Sequence, residues 1–547
     1  MKKTILIIFL IFTCSAFGQT PALDTLRQKA EQGDAEAQIK LGKLYAQVDS
    51  DPAVERNDAE AYRWFRKAAE QGNADGQNAL GVIFIEGCGV AKDDTEAMKW
   101  LRMAADQGLA KAQSNLGNMY AEGQGVAKDD AEAAKWWSKA AEQGLANAQY
   151  NLGVMYAKGL GVTKNDEEAL KWYRKAAEQG NSNAQVLLGM RYAKGQGVAK
   201  DDAEAVKWFS QAAKQGLANA QYNLGNMYAN GQGVAKDATE AVKWYRQAAD
   251  QGDANAQVVL GIKYATGQGV TRDDVEAVKW YRKAADQGNA ASQYNLGVMY
   301  AKGRGVPKDD AEAAKWYRKA AEQGDAYAQA ALGLKQGIAK DEVEAMKWLR
   351  EAAEQGQADA QAKIGYMYNT GQGVDKDYAE ALKWYSKAAV QGSADAQYNL
   401  GLMYAEGQGV TKNDAEAAKW FRESAEQGNA TAQTKIGYMY NTGQGVAKDY
   451  AEALKWYRKA TEQGNAAAQY NLGVMYAKGQ GVPKDGAEAA KWYRKAAEQG
   501  LAEAQYALGK LYIDGVDDAH DVNEAKSWLE KSAEQGEGEA VKLLKSL

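Results

Sequence analysis

The sequence predicts an all-α solenoid, an array of stacked helical hairpins, and three observations carry that prediction. The dipeptide Gln-Gly recurs about every 36 residues, at Gly72, Gly108, Gly144, Gly180, Gly216, Gly252, Gly288 and Gly324. After one short unit it continues at Gly356, Gly392, Gly428, Gly464, Gly500 and Gly536. A tryptophan stands eight residues before each of these glycines, from Trp64 through Trp172 and Trp316 to Trp528. The 547 residues contain 57 glycines and only 4 prolines, the composition of helices separated by glycine turns. A chain this long would ordinarily divide into several globular domains, but the regular period points to one array.

Residues 145–180, LANAQYNLGVMYAKGLGVTKNDEEALKWYRKAAEQG, represent the unit. Its first half sets Ala148, Leu152 and Tyr156 on one helical stripe. Gly159-Leu160-Gly161 ends that helix, because glycine takes the positive φ a helix terminus needs. Asn165 is the expected N-cap of the second helix, with Glu168 three residues on in a capping-box pattern that recurs as Asp129 with Glu132. The second half carries Ala169, Trp172, Tyr173 and Ala176 at i, i+3, i+4 and i+7 and stops at Gly180. Small alanines let the two helices approach. The aromatics fill the space between repeats, each worth on the order of 2–3 kcal/mol of buried apolar surface.

The N-terminus differs in kind. Lys2 and Lys3 precede the apolar run Ile5–Phe12 and the small residues Ser15, Ala16 and Gly18. This is the pattern of an export signal cleaved after Gly18 or Ala16, too short to span a bilayer. Phe12 and Thr13 do not fit the small residues that would make Cys14 a lipidated cysteine. Beyond the signal only Cys88 remains, so no internal disulfide framework is expected. The formal net charge of −5 with no basic block argues against nucleic acid as a partner.

The motif LG-x-x-Y-x-x-G-x-G-V followed by K-W-Y-R-K-A-A-E-Q-G resembles the Sel1-like repeat, a relative of the tetratricopeptide repeat. The resemblance covers about fourteen units over residues 34–536. With the N-terminal pattern read as a signal peptide at 1–18, the resemblance leaves a capping helix within 19–33 and another at 537–547. It implies a right-handed superhelix that acts as an adaptor or scaffold for other proteins. Two departures stand out. Extra residues around Val48–Glu55 enlarge the loop of the first unit. The ninth unit lacks about four residues, roughly one helical turn, and a change of path is expected near Gly333–Ile338. The segment KIGYMYNTGQGV occurs at 363–374 and again at 435–446, which points to duplication of two-repeat blocks.

Catalytic chemistry has little material here. His520 is the single histidine, which removes histidine-rich zinc motifs and argues against a Ser-His-Asp triad. It sits among Asp514, Asp517, Asp518 and Asp521, whose spacing matches no calcium loop and reads as a solvated acidic turn. The recurring Gly-x-Gly-Val follows a helix instead of a strand and lacks a third glycine, so it is a turn and not a nucleotide site. Some disulfide-rich relatives of the family are described as penicillin-binding or β-lactamase proteins. This chain lacks their paired cysteines, and none of its serines is followed by x-x-Lys. No cofactor and no metal are expected, and the chain reads as a non-enzyme.

The expected working surface is the first-helix face opposite its apolar stripe, where Asn147, Tyr150, Asn151, Val154 and Lys158 cluster on the representative unit. In tetratricopeptide repeats the corresponding helix lines a concave groove that grips peptides. Equivalent positions are Tyr222, Asn223 and Asn226; Tyr294, Asn295 and Val298; Tyr398, Asn399 and Leu402; and Tyr470, Asn471 and Val474. The position after Leu-Gly varies widely, as Val154, Asn226, Val298, Tyr366, Leu402 or Lys510. The Tyr-Asn pairs offer a stacking surface and an amide for a peptide backbone, or else they simply pack the helix. The leading expectation is an exported scaffold binding proteins or peptides, periplasmic first, with a secreted or outer-membrane-associated location as the alternatives. The alternatives are an envelope protein that binds peptidoglycan fragments or β-lactams, and a secreted factor acting on host proteins.

Overall fold

In a computed structural model, residues 21–47, 55–334, 341–515 and 521–547 are described. They form thirty α-helices and, among the described residues, no strand. Several expectations fall outside them: the export signal with Cys14, most of the Val48–Glu55 loop, and His520 with Asp517 and Asp518. Most of the Gly333–Ile338 segment lies outside as well. The helices divide into two compact units, residues 1–273 and 274–547.

In the first unit, the representative repeat forms helices Ala146–Lys158 and Asp166–Glu178. Gly159 caps the first in the left-handed region at φ 69°. Beyond the second, the N–H groups of Gly180 and Asn181 reach back to the carbonyls of Ala177 and Ala176, both at 3.0 Å. That is a Schellman closure, with Gly180 at φ 88°. The Asn165 side chain accepts the N–H groups of Glu167 and Glu168 at 3.0 and 3.1 Å, so the N-cap forms as read. The other half of the capping box does not. The Asn165 N–H donates to the carbonyl of Tyr156 at 2.9 Å, and Glu168 turns outward to Lys171. Asp129 and Glu132 repeat this arrangement, with the Asp129 N–H on Tyr120 and Glu132 on Lys135. The preceding helix already satisfies the donor that the glutamate would have taken.

Burial also corrects the first-helix stripe. Ala148, Leu152 and Met155 are buried, while Tyr156 is only half-buried. Elsewhere this tyrosine holds its hydroxyl where an arginine of the preceding repeat can reach it, as Arg174 does with Tyr192 at 2.6 Å. The paired aromatics divide their work. Trp172 joins a cluster with Ala141, Ala148 and Met155 toward the preceding repeat, and Tyr173 one with Leu188 and Phe209 toward the next. Stacking steps are thus sealed by a tryptophan and the large apolar residue after it, an aromatic in most repeats and Leu101, Leu349 or Leu529 in others.

The second unit repeats this construction, with Trp316 and Tyr317, Trp384 and Tyr385, and Trp456 and Tyr457 all buried. The first helix of its short repeat, Ala326–Leu334, has 9 residues where its neighbour Ala358–Thr370 has 13. At the array ends lie the helices Pro21–Glu31 and Gly538–Ser546. Leu23 and Ala30 of the former pack with Ala37, Leu41 and Trp64.

Candidate functional site: the first-helix face

Two interactions that the sequence reading missed hold this face in place. The first is a glycine in mid-helix. A Cβ on Gly153 would stand 2.7 Å from the Tyr173 ring, and on Gly225 the same distance from Tyr245. The glycine of Leu-Gly therefore lets the second helix's ring lie flat against the first helix backbone. Its cost in helix propensity, about 1 kcal/mol, is offset by that contact. The second is a buried glutamine ladder. Gln149 donates to the Ala141 carbonyl of the preceding repeat at 3.1 Å and accepts from Gln179 of its own at 2.7 Å. Gln397 does the same with Ala389 and Gln427. A buried amide is tolerated because it donates to one partner and its oxygen accepts from another. The available signal was a glutamine at the same first-helix position from repeat to repeat, after alanine in most and after Gly76 or Ser292 in two.

With the backbone so fixed, Asn147 is exposed and Tyr150, Asn151 and Val154 are half-buried. The equivalents Tyr222, Asn223, Asn226, Tyr294, Asn295, Val298, Tyr398, Asn399, Leu402, Tyr470, Asn471 and Val474 are half-buried too. The tyrosines lie tilted on the second-helix aromatic of their own repeat. Ring centroids are 6.3 Å apart for Tyr150 and Tyr173, and 5.7 Å for Tyr398 and Phe421. Burial pushes the phenols of Tyr150, Tyr294, Tyr398 and Tyr470 above their ordinary value. Under them, burial pushes Tyr173 up to about 12.

The asparagines are partly engaged within the array. Asn181 donates to Asn147 at 3.0 Å, and Asn399 donates to the backbone carbonyl of Asp395 at 2.8 Å. Asn223 does likewise with Asn219 at 2.7 Å. Asn226 accepts the Tyr245 hydroxyl at 2.8 Å, which makes it a partner of the core more than a free surface group. So the tyrosines pack the helix, and the amide oxygens of Asn223 and Asn399 keep acceptor capacity. Neighbouring positions stand further out, with Tyr327 60%, Tyr366 44% and Tyr438 47% exposed.

Cys88 is half-buried between two turn glycines, its Sγ 3.7 Å from a Glu86 carboxylate oxygen. Burial, then Glu86, raises its thiol pKa, the reverse of what a reactive thiolate requires. Among the described residues no helix is long and apolar enough to cross a membrane.

Tandem two-helix repeats, sealed by a tryptophan with the large apolar residue after it and presenting one varied helix face, define an α/α-solenoid repeat protein. The chain belongs to the Sel1 repeat family, whose model matches fourteen consecutive segments from 35–73 to 502–537. Repeats of this family generally serve as non-enzymatic scaffolds that bind proteins. A solved protective antigen from uropathogenic Escherichia coli strains, displaying the same repeat fold, is 34% identical with a TM-score of 0.69. The match covers 89% of this chain and 97% of that one. A Sel1 repeat protein from Oxalobacter formigenes is 37% identical over 57% of this chain and 89% of its own, with a TM-score of 0.44. Cysteine-rich protein B of Helicobacter pylori is 26% identical over 24% and 92%, with a TM-score of 0.20. The comparison with curated proteins gave no match.

Proposed function

We propose that this protein is an exported scaffold whose first-helix faces bind protein or peptide segments. The observation that carries the reading is a contrast within each repeat. Ala148, Leu152 and Gly153 are buried and nearly constant from unit to unit. The next position stays accessible and changes freely, as Val154, Asn226, Tyr366, Leu402 or Lys510. Packing alone gives no reason for such change on one side of an otherwise uniform helix; contact with a non-repeating partner does. In the second unit the closest approaches beyond chain neighbours are between first helices, which supports this face as the inner wall of the local stack.

Export is favoured by Lys2, Lys3 and the apolar run Ile5–Phe12. The similar Escherichia coli protein is described as a protective antigen, a term that suits a protein reached from outside the cell. Affinity spread over many repeats makes single substitutions weak and loss of whole units strong. The test is proximity crosslinking in intact cells, comparing the full chain with one lacking residues 357–464. A protein captured by the first and lost with the second is expected. Labelling by cell-wall fragments or a β-lactam probe, with no protein captured, would replace the scaffold reading with the envelope-ligand one.

A further inference from the structure

The first-helix face is not equally open along the second unit. Beside the short helix Ala326–Leu334 it sinks into a hollow of about 510 Å³, lined among others by Leu334, Asp359, Lys363, Tyr366, Asp395 and Asn399. Three consecutive repeats contribute to it. Asp359 and Asp395 occupy the same helix position one repeat apart, and both are exposed. Among the described residues neither carboxylate lies in an ion pair, and neither does Lys363. The Lys363 ammonium instead lies over the Tyr366 ring, 4.7 Å from its centroid. That ring is 44% exposed. An aromatic face that already attracts a cation, with two unpaired carboxylates beside it, has the makings of a site for a second one.

The duplicated segment provides an internal contrast. Lys435 and Tyr438 repeat Lys363 and Tyr366, and Tyr438 is 47% exposed. Yet Thr431 and Ala467 stand where Asp359 and Asp395 stand in the first copy. The aromatic and its lysine are shared, and the negative charge belongs to one copy.

We infer that the hollow takes an arginine side chain presented by an extended segment of a partner protein. The inference rests on the scaffold reading above and names the chemistry of its partner. The guanidinium stacks on Tyr366 in place of Lys363 and donates to Asp359 and Asp395. Its planar fork suits two carboxylates better than an ammonium does. Asn399 gives its amide N–H to the Asp395 carbonyl, so its oxygen is free to accept a peptide N–H from the partner. Leu334, 38% exposed, borders the apolar side of the same hollow.

The experiment is fluorescence polarisation on the full chain with labelled Ala-Leu-Arg-Gly-Ala, its lysine counterpart and its citrulline counterpart. Citrulline keeps the shape and removes the charge. Arginine is expected to bind about ten-fold tighter than citrulline, with lysine between them, and the preference should shrink as salt rises. Asp359→Asn with Asp395→Asn, both at exposed positions, should abolish the preference while leaving the helical circular dichroism unchanged. Thr431→Asp with Ala467→Asp should create a second arginine-preferring site. Equal binding of arginine and citrulline peptides, binding of neither, or a preference that survives the double asparagine variant would each overturn the inference. A partner lost on deleting 357–464 without any arginine preference leaves the scaffold reading standing and removes only this one. An arginine preference with no protein captured in cells removes the scaffold reading and, with it, the partner protein inferred here.

Discussion

Replacing Gly161 by alanine tests how one repeat is keyed into the one before it. Gly161 has φ 65°, and a Cβ there would lie 2.1 Å from the carbonyl oxygen of Asp130, the first residue of the preceding second helix. Gly180 is the fair comparison, with φ 88° and nothing within 4 Å of where its Cβ would stand. Both alanines carry the left-handed strain of about 1–2 kcal/mol, reduced by about 0.4–1 kcal/mol through a stiffer unfolded chain. Only Gly161→Ala must also push a backbone carbonyl aside, which adds roughly 1–3 kcal/mol as overpacking does in cores. The difference corresponds to about ten- to hundred-fold in a local opening equilibrium. Native-state hydrogen exchange by mass spectrometry reads it on the full chain, where a single two-state transition does not apply. Faster exchange is expected at 156–165 and also at 130–134, because the collision spans two repeats. Equal exchange in the two variants, or loosening confined to 156–165, would refute the reasoning.

Two other predictions use the interior. Gln149→Met keeps the volume but strands the Ala141 carbonyl and the Gln179 amide, and should cost about 1–3 kcal/mol, read as faster local exchange. Removing the exposed Lys171–Glu168 pair with Lys171→Ala should cost no more than about 0.5 kcal/mol. The buried phenols give a pH effect. Tyr173 and Tyr281 are raised from 10 to about 12 by burial, so the folded state holds protons that the unfolded state releases. Their contribution is complete below pH 10 and is lost as pH rises toward 12. Phenolate absorbance and helical circular dichroism followed together should change together in that window. Full ionisation of the tyrosines with the helices intact would contradict it.

What the sequence disclosed and what it withheld follow from the range of each interaction. Helix ends were legible because Asn165, Gly159 and Gly180 act on atoms within a few residues. The aromatic core was legible because Trp172 and Tyr173 keep helical spacing. The Gly153–Tyr173 contact was not, since it joins residues 20 apart whose meeting depends on how the two helices cross. Glu168 misled for a related reason: its expected partner N–H had already been taken by Tyr156, a contact between helices. On the working face, the tilt of Tyr150 against Tyr173 and the bond from Tyr245 to Asn226 needed the packed hairpin. The hollow at Asp359 and Asp395 needed three repeats side by side.

The glutamine ladder has a consequence for how such a chain can change length. Gln179 and Gln149 are 30 residues apart, yet in the short repeat Gln355 still donates to Gln329 across 26, at 2.8 Å. The missing stretch came out of the part of the repeat that lies between the ladder's rungs, and the two helices of the short repeat are still joined by the same bond. Junctions such as Gln149 to Ala141, Gln185 to Ala177 and Gln397 to Ala389 are written in the same few atoms, so repeats joined this way are chemically acceptable as one another's neighbours. Whole units can then be copied, lost or exchanged without a new seam having to be invented. Inheritance can act on such a protein by splicing sentences, leaving the spelling of each word intact.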